Sequence, residues 1–129
     1  MKHAWGLFGE AGVYVVHSFS NDGLVKIGFS NDFYRRLGQI APDVELCHSI
    51  YCLNREMAII VEAALHTLFA DRRVRGEWFN LVEEYAEDGT PELDSKIYEL
   101  DTADYVLQEY WSHVFNTAAL WEDSEETMA

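Results

Sequence analysis

Apolar and β-branched residues cluster in three short segments of the first half of the chain. Residues 13–17 predict a buried strand, and residues 24–29 predict a second strand that returns beside it. The Asp22-Gly23 pair between them is a hairpin signal. Residues 44–53 predict a third strand. The pattern therefore favours a small antiparallel sheet formed early in the chain.

Three further segments show the spacing of apolar residues that is typical of helices. Residues 32–40 predict a short helix capped by Ser30 or Asn31 and stopped by Pro42. Asn54 can cap a longer helix over residues 55–72. A third helix is predicted from about residue 101 to 121, followed by a disordered acidic end at 122–129. The middle helix repeats apolar residues every three or four positions, at Met57, Ile60, Val61, Ala64, Leu65, Leu68 and Phe69.

These elements predict an α+β fold with a small three-stranded antiparallel sheet flanked by helices and an acidic C-terminal helical extension. The length of 129 residues fits one compact domain with an appendage. We place the domain at residues 1–81 and the extension at 82–129. No apolar run reaches the length of a membrane span, and the first residues do not follow a signal-peptide pattern.

Charge is distributed very unevenly along the chain. Residues 1–80 hold 8 basic and 9 acidic residues, whereas residues 81–129 hold 1 basic and 14 acidic residues. Nearly all of the net charge of −14 therefore belongs to the second segment. Seven of the nine basic residues fall between Lys26 and Arg75. The first segment is thus the one whose charge permits contact with nucleic acid.

The two cysteines, Cys47 and Cys52, lie five residues apart in a predicted strand. Odd spacing in a strand places them on opposite faces, so a disulfide between them is not expected. Two cysteines alone do not make a metal site. Free thiols are typical of a reducing compartment, and we predict a cytoplasmic location without membrane attachment.

An ordered series of short motifs runs from residue 12 to residue 81. GVY is followed by KIG, by an arginine eight residues after the glycine of KIG, by a glutamate within VEAALH, and by GEWF. This series resembles the GIY-YIG nuclease superfamily, in particular the branch with KIG in place of YIG and a GEWF motif. The resemblance implies a DNA endonuclease that uses one Mg²⁺ or Mn²⁺ ion.

The first two motifs supply three candidate site residues. The resemblance implies that Tyr14 orients or deprotonates the attacking water, which for a phenol near neutral pH requires nearby positive charge. Lys26 alternates with Val25 and Ile27, so it lies on the opposite face of its strand. A lysine there could hold the phosphate or assist loss of the Tyr14 proton. Gly28 permits close approach of the backbone to substrate or helix.

The later motifs supply charge and a metal ligand. The resemblance implies that Arg36 stabilises phosphate charge, a task that suits a bidentate guanidinium, with Arg35 as the neighbouring alternative. It also makes Glu62 the single protein ligand of the metal ion. His66 follows Glu62 by four residues, on the same helix face, and could contact phosphate or shuttle a proton.

Two further arginines complete the expected substrate-binding surface. Arg55 and Arg73 project from roughly the same side as Glu62 and are expected to contact DNA. Glu77, within GEWF, could orient Arg36, Lys26 or His66, and these alternatives stay open.

The acidic segment leaves three interpretations open. It could be a solvated helix remote from DNA. It could fold over the basic site, mimic nucleic acid and restrain the enzyme. It could also bind a protein partner, or a second copy of the chain, through an apolar stripe formed by Leu107, Trp111, Val114, Ala118 and Trp121.

The alternative function is a catalytically weak or inactive scaffold that acts as an acidic inhibitor or adaptor. Ile40 stands where many superfamily members have tyrosine or histidine, and their late asparagine has only Asn80 as a stand-in. His17 could replace the first of these in space. The Ile40 departure and the acidic charge favour the inhibitor interpretation. The nuclease is favoured by the joint presence of Tyr14, Lys26, Arg36 and Glu62.

Overall fold

A computed structural model describes residues 11–32 and 44–128, with side chains through residue 118. Within these ranges the chain forms seven strands, three α-helices and one 3₁₀ helix. The strands are β1 (Gly12–Ser18), β2 (Leu24–Ser30), β3 (Val44–Tyr51), β4 (Arg73–Arg75), β5 (Trp78–Phe79), β6 (Val82–Tyr85) and β7 (Pro91–Leu93). The helices are α1 (Arg55–Leu68), the 3₁₀ helix (Ala70–Arg72), α2 (Ser95–Glu99) and α3 (Ala103–Met128).

The predicted α+β class is confirmed, but the main sheet is larger than predicted. It has five antiparallel strands in the order β3-β1-β2-β5-β4 rather than three. The two additional strands contain only three and two residues, too few to produce a recognisable alternation of polar and apolar positions. A second, two-stranded sheet consists of β6 and β7.

The predicted hairpin between β1 and β2 sets the register on which the candidate site depends. Asp22 and Gly23 have φ angles of 58° and 70°, a region in which Asp is tolerated and Gly is unstrained. The turn places Tyr14 opposite Gly28 and Val16 opposite Lys26. Directly opposed residues of an antiparallel pair share a face of the sheet.

One face of the sheet packs on α1 and forms the core. Val13, Val15 and Ile27 are fully buried there against Val61 and Leu65 of the helix. Asn54 caps α1 as predicted, because its Oδ1 accepts a hydrogen bond of 2.8 Å from the Met57 N–H. The helix ends at Leu68, four residues earlier than predicted, and the 3₁₀ helix turns the chain into β4. The predicted helix over residues 32–40 lies almost entirely outside the described residues.

The acidic segment continues the same core. Side chains that follow residue 80 are buried within the cluster formed by the sheet and α1, namely Leu81, Leu93, Ile97, Leu100 and Val106. Arg72 also joins the two parts, because its guanidinium lies 3.1 Å from both Asp94 and Glu83. The predicted boundary after residue 81 therefore crosses a continuous apolar cluster.

The face of α3 that packs inward differs from the apolar stripe predicted from the sequence. Its inward positions are Ala103, Val106, Leu107 and Tyr110, whereas Trp111 is 56% exposed. The backbone is helical through Met128, where a disordered end is predicted. None of the described helices combines the length and apolarity that crossing a membrane requires.

Candidate active site at the edge of strand β2

The candidate site is built along the part of β2 that β5 leaves uncovered. Strand β5 pairs only with Val25 and Lys26. Beyond that point the Ile27 N–H donates to the Glu77 carbonyl at 3.0 Å. The Ile27 carbonyl accepts from His66 Nε2 at 2.9 Å. A loop and a helix thus satisfy an edge that would otherwise be open, and they bring their side chains beside it.

The Tyr14 ring lies over Gly28, the residue directly opposite it on β2. A Cβ atom built on Gly28 would lie 2.5 Å from Tyr14 Oη and 2.6 Å from Tyr14 Cζ. The tyrosine is only 3% exposed. Gly28 is therefore required by the tyrosine ring, which occupies the space that any other side chain would fill.

Replacing Gly28 by alanine is expected to displace the Tyr14 ring and destabilise the fold by about 1–3 kcal/mol, the usual scale of overpacking. Urea unfolding of Gly28→Ala measures the loss. In a double-mutant cycle, Gly28→Ala should cost less stability in a Tyr14→Ala background than in wild type, because the clash partner is gone. A single variant as stable as wild type would contradict the packing described here.

Lys26 is placed as predicted, on the face opposite Val25 and Ile27. Both neighbours are fully buried, whereas the Lys26 side chain keeps 24% of its surface exposed. Its Nζ lies 3.6 Å from a Glu77 carboxylate oxygen. Of the partners considered for Glu77, Lys26 is in contact with it, and Arg36 lies outside the described residues. The half-exposed pair leaves the ammonium available to an anion from solvent.

Glu62 is the most perturbed acid of the site. Burial, reinforced by the negative charge of Glu77, raises its pKa to about 7, against opposing effects of the Phe29 backbone N–H and the Lys26 ammonium. Its Oε2 is buried and has no hydrogen-bond partner among the described residues. A carboxylate oxygen buried in this way destabilises the fold, and such groups are concentrated at functional sites.

His66 holds Glu62 and β2 together. Because a carbonyl can only accept, the hydrogen bond to Ile27 requires a proton on His66 Nε2. The same nitrogen lies 3.7 Å from Glu62 Oε1, and the ring packs edge-on against Phe79 at 5.0 Å. This geometry assigns the tautomer in which Nε2 carries the proton and Nδ1 is the acceptor nitrogen.

The remaining predicted residues lie at differing distances from this centre. Arg35, Arg36 and Ile40 lie outside the described residues. The guanidinium of Arg55 stacks over the Phe29 ring, 5.7 Å from its centroid, at the N-terminal end of the helix that carries Glu62. Arg73 is exposed on β4, and its Nε donates to the Gly76 carbonyl at 2.7 Å.

His17 does not join Tyr14. It is fully buried, and its Nε2 lies 3.1 Å from the Tyr85 hydroxyl. Burial lowers its pKa, partly opposed by the charge of Glu45. Odd spacing from Tyr14 along β1 puts the two side chains on opposite faces of the strand. Asn80 likewise contributes only backbone groups, to Arg72.

The residues fit a single hard cation with few protein ligands. Glu62 offers one buried oxygen without a partner, and the described residues hold no cluster of three or more His, Cys, Asp or Glu side chains. Mg²⁺ and Mn²⁺ accept such a site, since water and substrate phosphate supply their other ligands. Cys47 and Cys52 are free, and burial raises both thiol pKa values to about 11, so they do not offer thiolates near neutral pH.

Comparison with known families decides the classification. The model of the T5orf172 domain matches residues 11–92, more than half of the chain. The chain belongs to the T5orf172 domain family. The family is nuclease-like and DNA-binding, and this is compatible with a protein that acts on DNA. The chain matches neither a curated protein nor a solved structure significantly.

This membership overturns the resemblance to the GIY-YIG superfamily, which is a different family. The error has a physical cause. GVY and KIG describe two paired strands in which a tyrosine lies over a glycine, and that packing requirement is not specific to one family. Site roles in the T5orf172 protein must therefore rest on the geometry around β2.

Proposed function

We propose that this T5orf172 protein is a metal-dependent endonuclease that hydrolyses phosphodiester bonds in DNA. The observation that carries the proposal is Glu62, whose buried Oε2 has no hydrogen-bond partner in the part of the chain that the structure describes. The charge of the Lys26 ammonium acts on this carboxyl, and Tyr14 lies over Gly28, two residues further along the strand that carries Lys26. Hydrolysis of a phosphodiester requires charge neutralisation and an activated water, and these groups are suited to both.

Each residue receives a role from its position. Glu62 would hold one Mg²⁺ or Mn²⁺ ion, which supplies charge neutralisation and a more acidic water when bound. The Lys26 ammonium would bind a phosphate oxygen in exchange for Glu77. The Tyr14 hydroxyl would orient the attacking water. His66 would act as a positioning residue for Glu62, since its Nε2 proton is engaged with β2.

Flanking arginines would bind the DNA backbone away from the reacting phosphate. Arg55 is anchored on the Phe29 ring, which limits the side-chain entropy lost when it binds a phosphate. Arg73 would contact the backbone from β4, and Arg35 and Arg36 would supply further charge.

The test is nicking of supercoiled plasmid by the full chain with Mg²⁺ or Mn²⁺. Glu62→Gln keeps the shape of the side chain and is expected to reduce the rate by about 100-fold or more, the scale of losing one charge contact in the transition state. Glu56→Gln, an exposed position in the first turn of the same helix, is the matched control. Equal nicking by wild type and Glu62→Gln would sink the proposal.

A second function, that of a non-catalytic adaptor, is favoured by one observation. Trp111 and Phe115 of α3 are 56% and 69% exposed. Trp111 borders a groove of about 270 Å³ that also includes Ile60 and Ala63 of α1. Sedimentation velocity of wild type and Trp111→Ser tests whether this surface joins two copies. A monomer at every concentration removes self-association through α3.

Autoinhibition by the acidic helix is not part of the proposal. The described side chains of α3 pack against the flank of α1 that carries Ile60 and Ala63. Glu62 and His66 lie on a different flank, turned toward β2.

A further inference from the structure

Two aromatic rings are exposed at the turn between β1 and β2, one from the turn itself and one from the end of β6. Phe19 is 53% exposed and Tyr85 is 49% exposed. Their centroids lie 6.5 Å apart with the planes tilted by 30°. We call this pair, together with Arg75, the turn platform.

Buried groups hold the two rings in place. The fully buried His17 meets Phe19 edge-on at 4.3 Å and Tyr85 edge-on at 5.7 Å. Its Nε2 also shares a hydrogen bond of 3.1 Å with the Tyr85 hydroxyl. The exposed faces are therefore preorganised, which lowers the entropy lost on binding a ligand.

The turn itself is shaped to seat Tyr85. A Cβ atom on Gly23 would lie 2.7 Å from the Tyr85 hydroxyl, and the φ angle of this glycine is +70°. Any other residue there would be strained and would displace the ring. The Tyr85 hydroxyl therefore occupies the space that a side chain at Gly23 would fill.

Arg75 of β4 contacts the same turn. Its guanidinium donates to the amide oxygen of Asn21 in the turn. Among the side chains described in residues 11–32 and 44–118, no carboxylate forms an ion pair with Arg75, whereas Arg72 is bound by two. The Arg75 charge is therefore held in position and available to an anion.

A row of side chains connects Arg75 to the candidate active site, whereas the two rings of the turn platform contact His17 on the other face of the sheet. Lys26 is directly opposite Trp78 on β5, and Trp78 is directly opposite Arg75 on β4. Opposed residues share a face, so this row lies on the face that carries Tyr14. From Gly23 to Gly28 the chain covers roughly 16–17 Å at about 3.3 Å per residue, which is within reach of a few nucleotides.

We propose that the turn platform binds an unpaired stretch of the DNA strand being cut, with one base stacked on Phe19 and a neighbouring phosphate on Arg75. This inference rests on the proposed function and names its substrate class as DNA with a single-stranded segment. Stacking on aromatic rings beside a cation is how proteins hold single strands without reading sequence. A base inside a duplex cannot offer its face in this way.

Binding of a fluorescein-labelled 12-nucleotide single strand, followed by anisotropy in EDTA, tests the ring. Phe19→Leu keeps an apolar side chain against His17 but removes the stacking face. It is expected to weaken binding by about 5- to 150-fold, the scale of one stacked base, whereas Phe19→Tyr retains affinity. Phe115→Leu, the same change at a phenylalanine of α3 that is 69% exposed, is the matched control and should stay within about twofold of wild type, as expected for a surface site outside the interface.

Arg75→Gln tests the phosphate contact in the same assay. It should weaken binding and make the salt dependence of log K shallower by about 0.7, the value for one phosphate of a single strand. Lys96→Gln removes the same charge from α2 and should leave the slope unchanged. A blunt 12-base-pair duplex should not distinguish Phe19→Leu from wild type.

The results separate this inference from the hydrolase proposal. Wild-type affinity in Phe19→Leu, or no binding of the single strand by wild type, overturns the turn platform whether or not plasmid is nicked. Loss of affinity in Phe19→Leu and a shallower slope in Arg75→Gln support it, even if no cleavage is ever observed. Metal-dependent nicking without any effect of Phe19 supports hydrolysis alone.

Discussion

Glu62→Gln is expected to be more stable than wild type by about 2–3 kcal/mol at pH 8 without divalent metal. The cause is the burial that raises the pKa of this carboxyl from 4.5 to about 7. When the folded-state pKa of an acid lies above its unfolded value, ionisation opposes folding. The penalty is absent below pH 4.5, grows as the pH rises, and is complete above pH 7. Glutamine, which does not ionise, escapes it.

Urea unfolding in EDTA at pH 4.5 and pH 8 measures this effect, with the same solutions used for Glu56→Gln. Wild type and the Glu56 control should lose stability over this interval relative to Glu62→Gln. Adding Mg²⁺ at pH 8 should raise the stability of wild type and leave Glu62→Gln unchanged, because only the carboxylate can bind the ion. Parallel pH profiles for wild type and Glu62→Gln would show that the carboxyl is not destabilising.

The same substitution is expected to abolish nicking. A residue whose removal stabilises the fold while it eliminates activity is retained for its chemistry, and such residues cluster at active sites. Opposite signs for the two effects would identify Glu62 as functional more firmly than loss of activity alone, which misfolding can also produce.

A chain that ends after Leu81 is expected not to fold. It lacks Leu93, Ile97, Leu100 and Val106, which are buried in the same cluster as the sheet and α1. Each such side chain contributes about 1.5–3 kcal/mol by leaving water. Their sum is comparable to the total stability of an ordinary domain, about 5–15 kcal/mol.

Circular dichroism and thermal unfolding of the shortened chain check this expectation. A chain ending at Ala118 is the control, because it keeps every buried side chain of the described cluster and removes only the end of α3. The control should melt cooperatively, and the chain ending at Leu81 should not. Cooperative melting of both would support the boundary predicted after residue 81.

Local signals predicted much of the fold. The Asp22-Gly23 turn and the alternation around Lys26 fixed the hairpin, and Asn54 marked the start of α1. Strands β4 and β5 could not be predicted in this way, because a pair of residues such as Trp78 and Phe79 has no measurable period. They exist because Gly76, with φ of 52°, reverses the chain beside β2.

The candidate site likewise has a part that the sequence predicts and a part that it does not. Tyr14, Lys26 and Gly28 belong to one hairpin, so register alone relates them. The i, i+4 spacing of Glu62 and His66 is also local. What the spacing could not reveal is that His66 donates to Ile27, or that Glu62 keeps an unpartnered oxygen, because both depend on how α1 lies against β2. The predicted superfamily was wrong for a related reason. The order of the motifs describes the hairpin but not the elements that pack around it.

The contacts at the free edge of β2 also bear on aggregation. An uncovered strand edge can add a strand from another chain. Here the Glu77 carbonyl and His66 Nε2 already occupy the hydrogen-bonding groups of Ile27. The groups that build the candidate site therefore also seal the sheet, and a variant without His66 would leave the Ile27 carbonyl open to pairing between molecules.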